Sequence, residues 1–143
     1  MVNMKHNSLL DDIVEAMDSI GLKTSIRQYR RSRCIFIKAS PDIGKDILKK
    51  IEDTLEKYKG RSEIIRLLIS RGYVLDTGIE TLKIDYGLIW EVYDYPTFTH
   101  YLIRIYHLTD KSRMMEDKSW IAVYVDENPD TAWWSGEERV SLK

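Results

Sequence analysis

Six cations lie within sixteen residues: Lys23, Arg27, Arg30, Arg31, Arg33 and Lys38, with Tyr29 and Phe36 among them. Guanidinium and ammonium groups beside aromatic rings suit phosphate contact, hydrogen bonding to base edges and base stacking. Charge along the chain supports the same chemistry. Residues 21–72 carry fourteen Lys and Arg against six Asp and Glu, a net of +8, whereas residues 1–20 sum to −3 and residues 73–143 to −6. A basic block inside a chain of net charge −1 points to a polyanionic partner. The same asymmetry also allows the basic block to pair with acidic segments, within one molecule or across a dimer.

Other reactive side chains do not assemble a catalytic set. Val74-Leu75-Asp76-Thr77-Gly78 looks like the nucleophile motif of aspartic proteases, a chemistry that needs two carboxylates sharing one proton. The later apolar-apolar-Gly signature of such a subunit is missing, and Asp-Thr-Gly is equally good turn sequence. His100 and His107 are seven apart on an expected strand, so they point to opposite faces and do not chelate one metal. Glu91 and Asp94 near His100 have no recognisable ligand spacing, and His6 lies near the chain start. Cys34 is alone, so it forms neither an intrachain disulfide nor a zinc site. The glycines are isolated and make no phosphate loop. The residues therefore predict no enzyme, no metal and no cofactor.

The elements that must position the basic residues follow from spacing. Ser8, with Asp11 three residues on, caps a helix in which Leu9, Leu10, Ile13, Val14, Met17 and Ile20 share a face, and Gly21 ends it. Residues 23–29 and 33–39, separated by Arg30-Arg31-Ser32, read as a β-hairpin. Ser40-Pro41-Asp42 starts a helix with Ile43, Ile47, Leu48, Ile51, Leu55 and Tyr58 on one face and Gly60 at its end. Ser62 is expected to cap a shorter helix ending at Gly72. From Tyr73 the period becomes two, predicting strands over 81–86, 88–95, 97–107 and 119–126. In the third, Tyr101, Ile103 and Ile105 would face one way and His100, Leu102, Arg104 and Tyr106 the other. The expected fold is α+β: an N-terminal helix, a β-hairpin, two helices, then an antiparallel meander, all in one domain over 1–126. Residues 127–143 would form a loosely docked acidic tail containing Trp133 and Trp134.

A strand over 33–39, a turn at Pro41, an amphipathic helix over 42–59 and the hexapeptide Arg61-Ser62-Glu63-Ile64-Ile65-Arg66 follow in that order. In this order, and in a hexapeptide similar to the Arg-Ser-Glu-X-Ile-Arg run that opens the family's second helix, residues 33–72 resemble the ribbon-helix-helix family of DNA-binding regulators. The resemblance implies that two subunits pair strands into a ribbon that enters the major groove. It also implies that Arg61, Ser62 and Glu63 set a helix N-terminus against a phosphate, with Ser62 capping.

Composition bounds the rest. At 143 residues, 43% hydrophobic and 31% charged, the chain can bury a core beneath an ionic surface. No run approaches the ~20 apolar residues of a membrane helix. The polar start has no secretory pattern, so a cytoplasmic location is expected. One glutamine and three asparagines among abundant ion-pairing residues resemble the proteins of hyperthermophiles, suggesting an archaeon or archaeal virus. The expected function is a nucleic-acid-binding regulator, duplex DNA favoured, acting as a homodimer through Arg27, Arg30, Arg31, Arg33, Lys38, Arg61, Ser62 and Glu63. The alternative is a small effector of viral type that modulates a host protein through its acidic, aromatic C-terminal half, with Trp133 and Trp134 as anchors.

Overall fold

Helix α1 (Leu9–Ser19) begins directly after Ser8, whose backbone is extended and whose Oγ accepts from the Asp11 N–H at 3.1 Å. It ends in a Schellman arrangement: the Leu22 N–H donates to the Met17 carbonyl and the Gly21 N–H to that of Asp18, with Gly21 at φ 84°. Both ends fall where the sequence placed them. The computed structural model describes residues 8–69, 73–76, 81–110 and 118–129.

After α1 come β1 (Arg27–Tyr29) and β2 (Ser32–Ala39), a hairpin in which Tyr29 pairs with Ser32. Arg30 and Arg31 are the two connecting residues, and Arg30 takes a positive φ of 57°, as tight hairpin turns require. A 3₁₀ turn over Pro41–Ile43 leads into α2 (Gly44–Glu56). The helix thus starts later than Asp42, and Ser40 turns its hydroxyl onto the Asp42 carboxylate instead of capping a backbone N–H. β3 (Ser62–Ile69), β4 (Tyr73–Asp76), β5 (Thr81–Asp94), β6 (Thr99–Asp110) and β7 (Lys118–Glu127) complete the described elements.

All the described strands join one antiparallel sheet of order β1-β2-β7-β6-β5-β3, with β4 lying farther along β5. The class is therefore α+β, as read from the sequence, with a helix, a hairpin and then antiparallel strands; between hairpin and strands stands one helix where two were expected. Helices α1 and α2 cover one face, where Leu9, Leu10, Ile13 and Met17 meet Ile47 and Ile51, all fully buried. Each such side chain contributes on the order of 2 kcal/mol. The sheet supplies Ile35 and Ile37, Trp90 and Val92, Tyr101, Ile103 and Ile105, and Val123 and Val125 to this core. The opposite face carries a second cluster of Ile89, Leu102, Tyr106, Leu108 and Ala122. The alternation expected along residues 100–106 is the one observed.

Two expectations fail at element level. Residues 62–69, expected as a helix, are β3, paired with β5 from Ser62↔Asp94 to Ile69↔Gly87. A short run of adjacent apolar residues fits either period, and eight cross-strand partners decide it. Strands 81–86 and 88–95 are one strand, since Gly87 is paired on both sides and the break is only a register shift near Ile84 and Tyr86.

Candidate nucleic-acid interface

The β1–β2 register sorts the basic residues between the two faces of the sheet. Ile35 and Ile37 point to the helices, so Cys34, Phe36 and Lys38 point away, and Arg27, paired with Cys34, shares their face. Arg27, Arg30, Arg31 and Lys38 are exposed. Among the described residues, none of these four forms an ion pair. Tyr29 is 71% exposed and Phe36 53%, uncommon values for rings on a folded sheet.

β7 adds residues that sequence reasoning did not include. Tyr124 lies opposite Phe36, with ring centroids 4.8 Å apart, and the Lys38 ammonium sits 4.1 Å over the Trp120 ring. Arg104 of β6 lies 4.8 Å over Tyr124. The alternation Trp120, Ala122, Tyr124 against Ile121, Val123, Val125 marks which side chains share a face. Only the pairing of β7 with β2 places them beside Phe36. Cys34 sits in this row, and burial, with Asp126 adding to it and Arg27 opposing, pushes its thiol pKa up, which makes it a poor nucleophile.

Arg33 and Arg61 are committed elsewhere. Arg33 faces α1, where its Nε and Nη2 donate to Glu127 at 2.8 and 2.9 Å and Nη2 reaches Ser8 at 2.9 Å. Its pKa is raised, chiefly by Glu127. Arg61 grips Asp94 with two bonds of 2.7 Å, and the Ser62 and Thr97 hydroxyls donate to the same carboxylate at 3.1 and 2.5 Å. Asp94 is 1% exposed, and its pKa is held below 3.8, first by the Arg61 hydrogen bond. Glu63 accepts from the Tyr95 hydroxyl at 2.6 Å. The phosphate-binding helix N-terminus expected at Arg61, Ser62 and Glu63 therefore does not exist, because Ser62 opens a strand. Both arginines join the basic block to the acidic part of the chain. Trp133 and Trp134 lie outside the described residues.

The other candidates also separate. Glu91 and His100 do meet, with Nε2 3.5 Å from Oε1, beneath a Tyr93 ring stacked on the imidazole at 4.4 Å. Burial lowers the His100 pKa, with Glu91 opposing, and the hydrogen bond to Glu91 pushes Tyr93 up to about 12. Asp94 is instead occupied by Arg61. Among the described residues, no group of three or more His, Cys, Asp or Glu is placed to hold a metal ion. Asp76 ends β4 opposite Thr81, and Thr77 and Gly78 lie outside the described residues. Among the described residues, no helix is long and apolar enough to cross a membrane. Compared with models of known protein families, with curated proteins and with solved structures, the chain matches none.

Proposed function

We propose that this protein binds nucleic acid through the face of β1, β2 and β7 that turns away from the helices. The observation that carries this reading is the joint exposure of Arg27, Tyr29, Phe36 and Lys38 on one face, with Arg30 and Arg31 at its tip. Exposed rings stack on bases only where the bases are unpaired, and neighbouring cations follow the backbone. The face therefore suits single-stranded nucleic acid, or melted or looped regions, better than an intact duplex. A duplex-reading ribbon formed between subunits would need β2 free of its own sheet, and β2 is held between β1 and β7. In this reading the protein is a regulator that occupies exposed bases.

Fluorescence anisotropy with a labelled single-stranded oligonucleotide and with a random duplex, over a salt series, tests this. Binding should weaken steeply with salt, and single strands should bind more tightly than duplex. Changing Arg30 and Arg31 to alanine should reduce the logarithmic salt slope by about 0.7 for each phosphate that the variant no longer touches. Phe36→Ala should cost about 1–3 kcal/mol if one base stacks on it. Absence of binding at low salt overturns the proposal and gives first place to the protein effector. That second reading draws on Phe98, which is 92% exposed in a loop fixed by Asp94 and held at φ 52°.

A further inference from the structure

The exposed face of β1, β2 and β7 is a narrow stripe whose side chains follow one another in a regular order. The register sets Tyr29 level with Ser32 and Arg27 level with Cys34. Phe36 lies two residues beyond Cys34, opposite Tyr124 of β7, and Lys38 two residues beyond that. Along β2 the side chains therefore alternate ring, guanidinium, ring, ammonium. Two strand residues advance about 6.6 Å, so Tyr29 and Phe36 stand about 13 Å apart along the strand with Arg27 halfway. Across the sheet the stripe closes. Arg104 is 2% exposed and bonded to Asp126, and Leu102 and Ile89 are fully buried. At the opposite border, β3 offers Glu63 and Ile65 on this face, and Leu68 is exposed on the helix side. Charge is graded across the stripe as well. Arg27, Arg30 and Arg31 belong to the β1 side, whereas Asp126 sits opposite Cys34 on the β7 side.

Resting on the nucleic-acid reading above, we propose that the ligand is a single strand lying lengthwise along β2 over about four nucleotides, and not one that crosses the sheet. Bases that stack on protein rings leave their neighbours, so such a strand advances about 7 Å per nucleotide, twice the stacked rise of about 3.4 Å. One base then rests on Tyr29 and the next but one on Phe36, whose ring is backed by Tyr124 at 4.8 Å. Arg27 meets the phosphate between them. Arg30 and Arg31 hold the backbone at one end of the stripe, and Lys38 holds it at the other. The Asp126 carboxylate repels phosphates from the β7 side, so the backbone keeps to β1 and the bases lean inward. A path across the strands would instead carry phosphates past Asp126 and Glu91, over the buried Leu102 that lies between them.

Anisotropy competition with oligothymidines of graded length tests the footprint, and abasic substitution tests the path. Affinity should climb steeply up to about four nucleotides, then rise only by the statistical gain of extra registers. In a ligand of that length, removing a base should cost about tenfold at two positions separated by one nucleotide, and little at the position between them. Tyr29→Ala should make the first of these abasic sites silent and Phe36→Ala the second, because each substitution has already removed the ring that its base stacks on. Both rings are exposed, so the circular dichroism spectra of the variants should match that of the parent. Affinity that keeps climbing well past this length overturns the lengthwise path and leaves the nucleic-acid reading in place. Abasic costs that couple to Tyr29 and Phe36 at adjacent positions do the same. A parent chain that binds no single strand at low salt overturns both.

Discussion

Asp94 shows how one carboxylate organises a corner of this molecule. Buried at 1% exposure, it is stable there because Arg61 supplies two hydrogen bonds and Ser62 and Thr97 two more. Arg61→Ala should destabilise the protein by about 3 kcal/mol, the low end for a broken buried pair, since water still reaches the partly exposed guanidinium. The pH dependence has a definite sign. The folded-state pKa of Asp94 lies below 3.8, so its contribution is complete above that pH and is lost as pH falls further. Urea denaturation over a pH series should show that acid limb in the parent and a shallower one in Arg61→Ala. Arg33 has a similar attachment to Glu127. Neither arginine is available to a phosphate at no cost, whereas Arg27, Arg30 and Arg31 are.

Each helix end depends on one or two residues, and the strands depend on their neighbours. Gly21, at φ 84° with nothing within 4 Å of an added Cβ, marks the first case. Gly21→Ala meets no atom, so its cost is conformational only, about 1 kcal/mol, measurable as a small drop in thermal midpoint with an unchanged circular dichroism spectrum. β3 marks the second case. Its residues have no intrinsic feature that excludes a helix, and β5 makes them a strand by offering a partner for each backbone unit. Placing that strand at the border is what exposes Ile65 and Leu68.

At the scale of the whole molecule, the sheet keeps its basic face at one border and its apolar edge at the other. The proposed nucleic-acid contact uses only the first border, so Ile65→Lys at the other should leave the affinity for a single-stranded oligonucleotide unchanged in fluorescence anisotropy, whereas Phe36→Ala should lower it.

The sequence alone determined what is local. Helix α1 with its Ser8 cap and Gly21 stop, the hairpin around Arg30 and Arg31, the core face of α2 and the alternation along β6 all rest on contacts between near neighbours or on a repeat of fixed period. The exposure of the basic hairpin belongs with them, since charge on a turn has little reason to be buried. Tertiary structure decided everything that depends on distant pairing. It made residues 62–69 a strand through β5 and removed the helix N-terminus expected at Ser62. It brought Tyr124 and Trp120 beside Phe36 and Lys38 through the contact of β2 with β7. It also divided the six described arginines of one basic block into four exposed groups and two that clasp Glu127 and Asp94. The physical reason is common to all of these. A strand's partner lies wherever the chain returns to, and neither hydrophobic period nor local charge encodes that return.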